Sequence, residues 1–242
     1  MQTAERLEQY ERITGREAED FLARAVKLVQ ENLPEFTEYF PDSNSEGNFY
    51  PQTENREWTT GFWNGERRLA YERTKDENLK KAGLLQAKSV LKRITERVDL
   101  DNHDMGFLYT PSCVAAYRLT GDETAKKAAL MAADNLMERF QEKGRFFQAW
   151  GELGAKDNYR LIIDCLLNMP LLFWASEVTG DPKYREKATA HILTAMNCVI
   201  RPAHSPYHPY FFAPETGEPV QGVTHQRTRD VSARSRGPAW GI

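Results

Sequence analysis

The chain has 242 residues, a hydrophobic fraction of 40% and a charged fraction of 28% with a formal net charge of only -3. That balance suits one large domain with a real core, or two small ones, and nothing in it suggests a nucleic-acid partner. The opening stretch Met1–Arg12 is charged and carries no apolar run. It is therefore expected to be neither a secretory signal nor a membrane span, which points to a cytoplasmic protein.

In chain order, Leu22, Val26, Val29 and Leu33 recur at helical spacing, and Pro34 ends that helix. Pro34 to Trp58 is polar and holds Pro41, Gly47 and Pro51. It reads as a long loop. Thr74-Lys75-Asp76 then separates two helical stretches, and Thr120-Gly121-Asp122 and Thr179-Gly180-Asp181 repeat the pattern. Gly supplies a left-handed helix exit and Asp caps the next helix, so each repeat reads as a helical hairpin with a tight turn. Ala125, Ala129, Ala132, Leu136 and Phe140 trace one helical face. Arg160 to Val178 is apolar on nearly all sides and reads as a helix buried all round. One buried and one amphipathic helix per hairpin, at unequal repeat lengths, favour an all-α toroid over a solenoid. Arg201 to Arg236 is irregular, with β-like segments at Tyr207–Phe212 and Pro219–Val223 that suggest a hairpin.

Several residues carry candidate chemistry. Asp164 lies in Leu161-Ile162-Ile163-Asp164-Cys165-Leu166-Leu167. Burial there favours a protonated carboxyl, as a general acid needs, and a core Asp bonded to Asn168 or to a backbone amide explains the run equally well. Asp104 precedes Met105-Gly106-Phe107-Leu108-Tyr109 and by itself reads as a helix cap. In a toroid, however, the loops before the inner helices open on one rim, where such caps converge. Trp58, Trp150 and Trp240 stand near helix starts and suit either a pyranose face or packing, whereas Trp174 reads as core. His204, His208, His225, Arg227, Arg229, Arg234 and Arg236 form a local basic concentration. It can meet a carboxylate or simply be a solvated loop. The histidines lack metal-ligand spacing, so no metal is expected. Cys113, Cys165 and Cys198 fit neither a disulfide framework nor a zinc pattern, and Cys165 reads as a buried thiol.

Six runs together resemble the unsaturated glucuronyl hydrolases of glycoside hydrolase family 88. They are Trp58-Thr59-Thr60-Gly61-Phe62-Trp63, His103-Asp104-Met105-Gly106-Phe107-Leu108-Tyr109, Gln148-Ala149-Trp150-Gly151, Arg160-Leu161-Ile162-Ile163-Asp164-Cys165-Leu166-Leu167-Asn168, Thr224-His225-Gln226 and Arg236-Gly237-Pro238-Ala239-Trp240-Gly241. The resemblance implies an (α/α)6 barrel in a single domain over residues 1–242, of which about seven helices are present and the C-terminal helices are missing. It implies a glycosidase that hydrates the vinyl ether of a 4,5-unsaturated uronic acid at the non-reducing end of polysaccharide-lyase products, without a cofactor. Asp164 matches the general acid and base and Asp104 the second essential carboxylate. Trp58 and Trp150 match aromatic residues of the sugar site. His208, Gln226, Arg236 and Trp240 match substrate contacts, with His225 beside them. The only partner implied is the unsaturated oligosaccharide. Arg227, Arg234 and Pro238 depart from the family pattern. A related unsaturated rhamnogalacturonyl hydrolase acting on pectin fragments, and an inactive fragment, are the alternatives.

Overall fold

The computed structural model describes residues 12–201, 205–223 and 239–240. Helix α1, Gly15–Asn32, opens with a reciprocal cap in which Glu17 N–H donates to Thr14 Oγ1 while Thr14 N–H donates to the Glu17 carboxylate. It ends two residues before Pro34, as the sequence requires. The stretch after it is less loose than its polarity suggests. Phe36 and Phe40 are buried, and Phe40–Pro41 (β1) pairs antiparallel with Gln52–Thr53 (β2). The Phe36 carbonyl accepts from both the Trp63 indole and the Gln86 amide, each at 2.8 Å.

Three hairpins follow. They are α2 (Thr60–Thr74) with α3 (Glu77–Thr95), α4 (residues 105–120) with α5 (Glu123–Met137), and α6 (Met169–Thr179) with α7 (Pro182–Val199). Among the described residues this makes seven helices. Their turns share one construction. Thr74, Thr120 and Thr179 each donate a hydroxyl to the carbonyl four residues back. Lys75, Gly121 and Gly180 take left-handed φ values of 56, 70 and 73°. Asp76, Asp122 and Asp181 then cap the next helix through their carboxylates.

The layers follow from the side chains. All of Met105–Tyr109 in α4 is buried, as are Leu171, Leu172, Trp174 and Ala175 of α6. Helix α5 lays Ala125, Ala128, Ala129, Ala132 and Ala133, all fully buried, into the same core as these two helices. Such small residues let an outer helix approach closely. Helix α4 widens into a π turn at Thr110–Val114, where Pro111 supplies no backbone N–H. Helix α2 departs from the apolar inner-helix pattern, because it buries Thr60, Asn64, Arg67 and Arg68. The Arg67 guanidinium donates to Gln86 Oε1, the Leu79 carbonyl and Asn64 Oδ1, so a buried cation held by neutral acceptors ties α2 to α3.

Two expectations need correction. Arg160 to Val178 is not one helix. Arg160–Ile162 is a strand (β5), Ile163–Asn168 a tight helical turn, and only Met169–Thr179 is α-helical. A short apolar run does not distinguish a buried strand from a buried helix, and pairing with a distant strand decides it. That partner is β6, Pro209–Phe212, with Arg160 opposite Phe211 and Ile162 opposite Pro209. The expected hairpin is present, as β6 and Pro219–Gly222 (β7). Phe140 is likewise not helical. It lies in β3 (Phe140–Gln141), paired with β4 (Phe146–Phe147). Among the described residues no helix is long and apolar enough to cross a membrane.

The shared turn gives a test. Replacing Asp122 by Ala removes acceptors for the Thr124 and Ala125 amides and is expected to lower unfolding stability in urea by about 1 kcal/mol.

Candidate active site

The segments that lead into α2, α4 and α6 do meet on one rim. At the start of α4 the approach is so tight that a Cβ on Gly106 would lie 2.2 Å from the Asn168 Cα. Asn168 Oδ1 accepts from the backbone N–H groups of Gly106 at 2.6 Å and Phe107 at 3.1 Å. Helix α4 is therefore capped from the neighbouring hairpin. Asp104 occupies the N-cap position yet makes no side-chain cap bond, so its carboxylate is released from that duty. The Asn168 side-chain nitrogen makes no hydrogen bond to the Asp164 carboxylate.

Both carboxylates turn to the same imidazole. Asp104 Oδ1 and Asp164 Oδ1 each lie 3.5 Å from His103 Nε2, with His103 1% and the two acids 20% and 16% exposed. Burial, with His191, Arg139 and His208 nearby, holds the His103 pKa down to about 3, so the ring is neutral. Burial also pushes the Asp104 carboxyl up to about 6, against the pull of Arg93 and Arg139. A carboxyl, and not the histidine, is thus the group that changes charge near neutral pH. Asp164 itself follows β5 directly, between the buried side chains of Ile163 and Cys165.

Two groups of aromatic rings adjoin the elements that carry the acids. Trp58 packs edge-to-face on Phe107 at 5.8 Å and on Trp240 at 6.3 Å, and Phe107 meets Trp240 at 5.3 Å. Trp150 meets His103 in a T-shaped contact at 6.3 Å and remains 40% exposed. A ladder of backbone bonds spaces these parts. His103 N–H donates to the Ala149 carbonyl, Ala149 N–H to Arg160, and Ile163 N–H to His208. Fully buried Gln148 braces the same loop by donating to the Trp150 and Glu152 carbonyls. Of the sequence candidates, the fold gathers Asp104, Asp164, Trp58, Trp150, His208 and Trp240. His225, Gln226 and Arg236 lie outside the described residues. Trp174 is core. Sequence reading assigned no role to His103 or to the bond between Asn168 and α4, because neither spacing nor composition reveals a contact between separate hairpins. Among the described residues no group of three or more His, Cys, Asp or Glu side chains is placed to hold a metal ion.

The sequence pattern of Glycosyl Hydrolase Family 88 matches residues 32–241. The chain belongs to that family. The unsaturated chondroitin disaccharide hydrolase of Streptococcus agalactiae is 49% identical over 230 residues, covering 95% of this chain and 58% of that protein. A crystal structure of unsaturated glucuronyl hydrolase from the same species superposes with a TM-score of 0.93 at 50% identity, over 96% of this chain and 58% of the other. An Asp→Asn variant of that enzyme complexed with dGlcA-GalNAc6S superposes at 0.81 with 43% identity, over 98% of this chain and 58% of the other. The fold is an incomplete part of the α/α barrel of these family 88 relatives, and this chain spans under three-fifths of their length.

Two measurements probe the rim. Asn168→Ala leaves two buried N–H groups of α4 without an acceptor and is expected to cost on the order of 2–4 kcal/mol in urea unfolding. The Asp104 carboxyl keeps its proton to about pH 6 in the fold, whereas in the unfolded chain it ionises near about pH 4. Stability from this group therefore falls as pH rises from about 4 to about 6. Asp104→Asn is expected to be more stable than the parent at pH 7 by about 2–3 kcal/mol, with the gap closing below about pH 4. Paired denaturation curves across that range check it.

Proposed function

We propose that the protein is an unsaturated glucuronyl hydrolase, which removes a 4,5-unsaturated uronic acid from the non-reducing end of lyase-generated glycosaminoglycan oligosaccharides. The observation that carries this reading is the convergence of Asp104 and Asp164, from separate hairpins, on one neutral imidazole that also meets the Trp150 ring. Relatives named for chondroitin disaccharides, and one seen with dGlcA-GalNAc6S, favour glycosaminoglycan fragments over pectin fragments.

The chemistry begins at the double bond. Asp164, between apolar neighbours, delivers a proton to C4 of the vinyl ether, and positive charge develops at C5 beside the ring oxygen. The ionised Asp164 then takes a proton from a water that adds at C5, while Asp104 holds that geometry and charge. The resulting hemiketal opens and releases the remaining sugar. His103, neutral to well below physiological pH, does not compete for the proton. Trp58 and Trp150 offer faces for pyranose rings, with His208, Gln226, Arg236 and Trp240 as substrate contacts and His225 beside them. The scheme requires neither metal nor organic cofactor. Residues 1–242 form part of a single barrel domain in this reading. The three free thiols, Cys113, Cys165 and Cys198, suit a reducing cytoplasm.

The test follows ultraviolet absorbance of the double bond with an unsaturated chondroitin disaccharide, for this chain and for the chain joined to the remaining length of a family relative. Absorbance is expected to fall for the joined protein, and Asp164→Asn to slow it by at least about 100-fold. Parent-like turnover by Asp164→Asn would sink the acid assignment, and a preference for pectin-derived disaccharides would sink the substrate class.

A further inference from the structure

Arg160 has no part in the reaction described above, yet it sits directly behind the sugar-facing wall. It lies in β5 opposite Phe211, four positions before Asp164. Its guanidinium carbon stands 4.7 Å over the Trp150 ring centroid and 5.2 Å from that of Phe211. The cation is thus held between two aromatic faces. Its Nε is buried without a hydrogen bond among the described residues. Stacking on the rings is what fixes it.

The consequence falls on Trp150. One face of the indole is covered by Arg160 and the ring meets His103 in a T-shaped contact, while the residue remains 40% exposed. A pyranose can lie only against the uncovered face. The backing cation also belongs to the strand that leads into Asp164, so platform and acid share one rigid support. We propose that Arg160 is a positioning residue that clamps Trp150 as a one-faced sugar platform in register with Asp164. This rests on the reading of Trp150 as a sugar platform.

A guanidinium over an indole is a cation–π contact, strongest when both groups are desolvated, and its planar shape is not reproduced by an ammonium. Arg160→Met keeps much of the bulk and removes the charge. Arg160→Lys keeps the charge and loses the plane. Each is made with and without Trp150→Phe, so that the contribution of Trp150 to intrinsic fluorescence is obtained by difference. In Arg160→Met, acrylamide quenching of the Trp150 component is expected to rise about twofold, with Arg160→Lys between it and the parent. On the joined protein of the absorbance assay, KM for the unsaturated chondroitin disaccharide is expected to rise about three- to tenfold in Arg160→Met with kcat within about twofold. In the Trp150→Phe background the same change is expected to have little further effect, since coupled residues are not additive. Unchanged quenching of Trp150 in Arg160→Met overturns the clamp, and so does a fall in kcat at constant KM. Unchanged KM in Trp150→Phe would instead sink the platform reading, and the quenching arm, which needs no turnover, still judges the clamp.

Discussion

The close approach of α4 to the start of α6 is the constraint on which the rest of the site depends. No side chain fits at Gly106, because Asn168 occupies the space a Cβ would take, and the Asn168 oxygen satisfies the two amide groups that open α4. A helix end buried in a rim needs acceptors for its first N–H groups. Here they come from a neighbouring hairpin, which both locks the two inner helices together and relieves Asp104 of capping. Gly61 repeats the device one hairpin earlier, with α2 resting against the backbone of Phe107 and Leu108. Two glycines near the starts of successive inner helices thus bring three loops within reach of one another.

Once the loops are in place, burial sets the electrostatics. His103 is enclosed and neutral, and Asp104 is desolvated more than nearby Arg93 and Arg139 compensate. Holding an acid in this way costs stability at neutral pH. The site accepts that cost in a fold whose core is otherwise apolar around α4, α5 and α6. Arg67 of α2 shows the contrasting solution. Arg67 is as enclosed as His103, but all of its contacts are neutral acceptors that anchor helix to helix.

The small sheet does for the aromatic wall what the glycines do for the acids. Bonds from His103 to Ala149, from Ala149 to Arg160 and from Ile163 to His208 run across segments far apart in sequence. Trp150, Asp164 and His208 are therefore spaced by backbone geometry, which is stiffer than side-chain packing alone.

The sequence by itself determined the parts that depend on local chemistry. The three Thr-x-Asp turns, the end of α1 before Pro34, the alanine face of α5, the β6–β7 hairpin and the burial of Cys165 and Trp174 are all written in short stretches. The motif runs also named the two aspartates and the tryptophans, because a family resemblance is carried by residue identity. Tertiary structure alone decided what depends on distant partners. Arg160–Ile162 became a strand because β6 was available to pair with it. Asp104 is no cap because Asn168 took that role, and His103 meets both acids because two hairpins close on it. Periodicity reports which face of an element is apolar. It carries no information on which other element will supply a hydrogen-bond acceptor, a strand partner or a neighbouring charge.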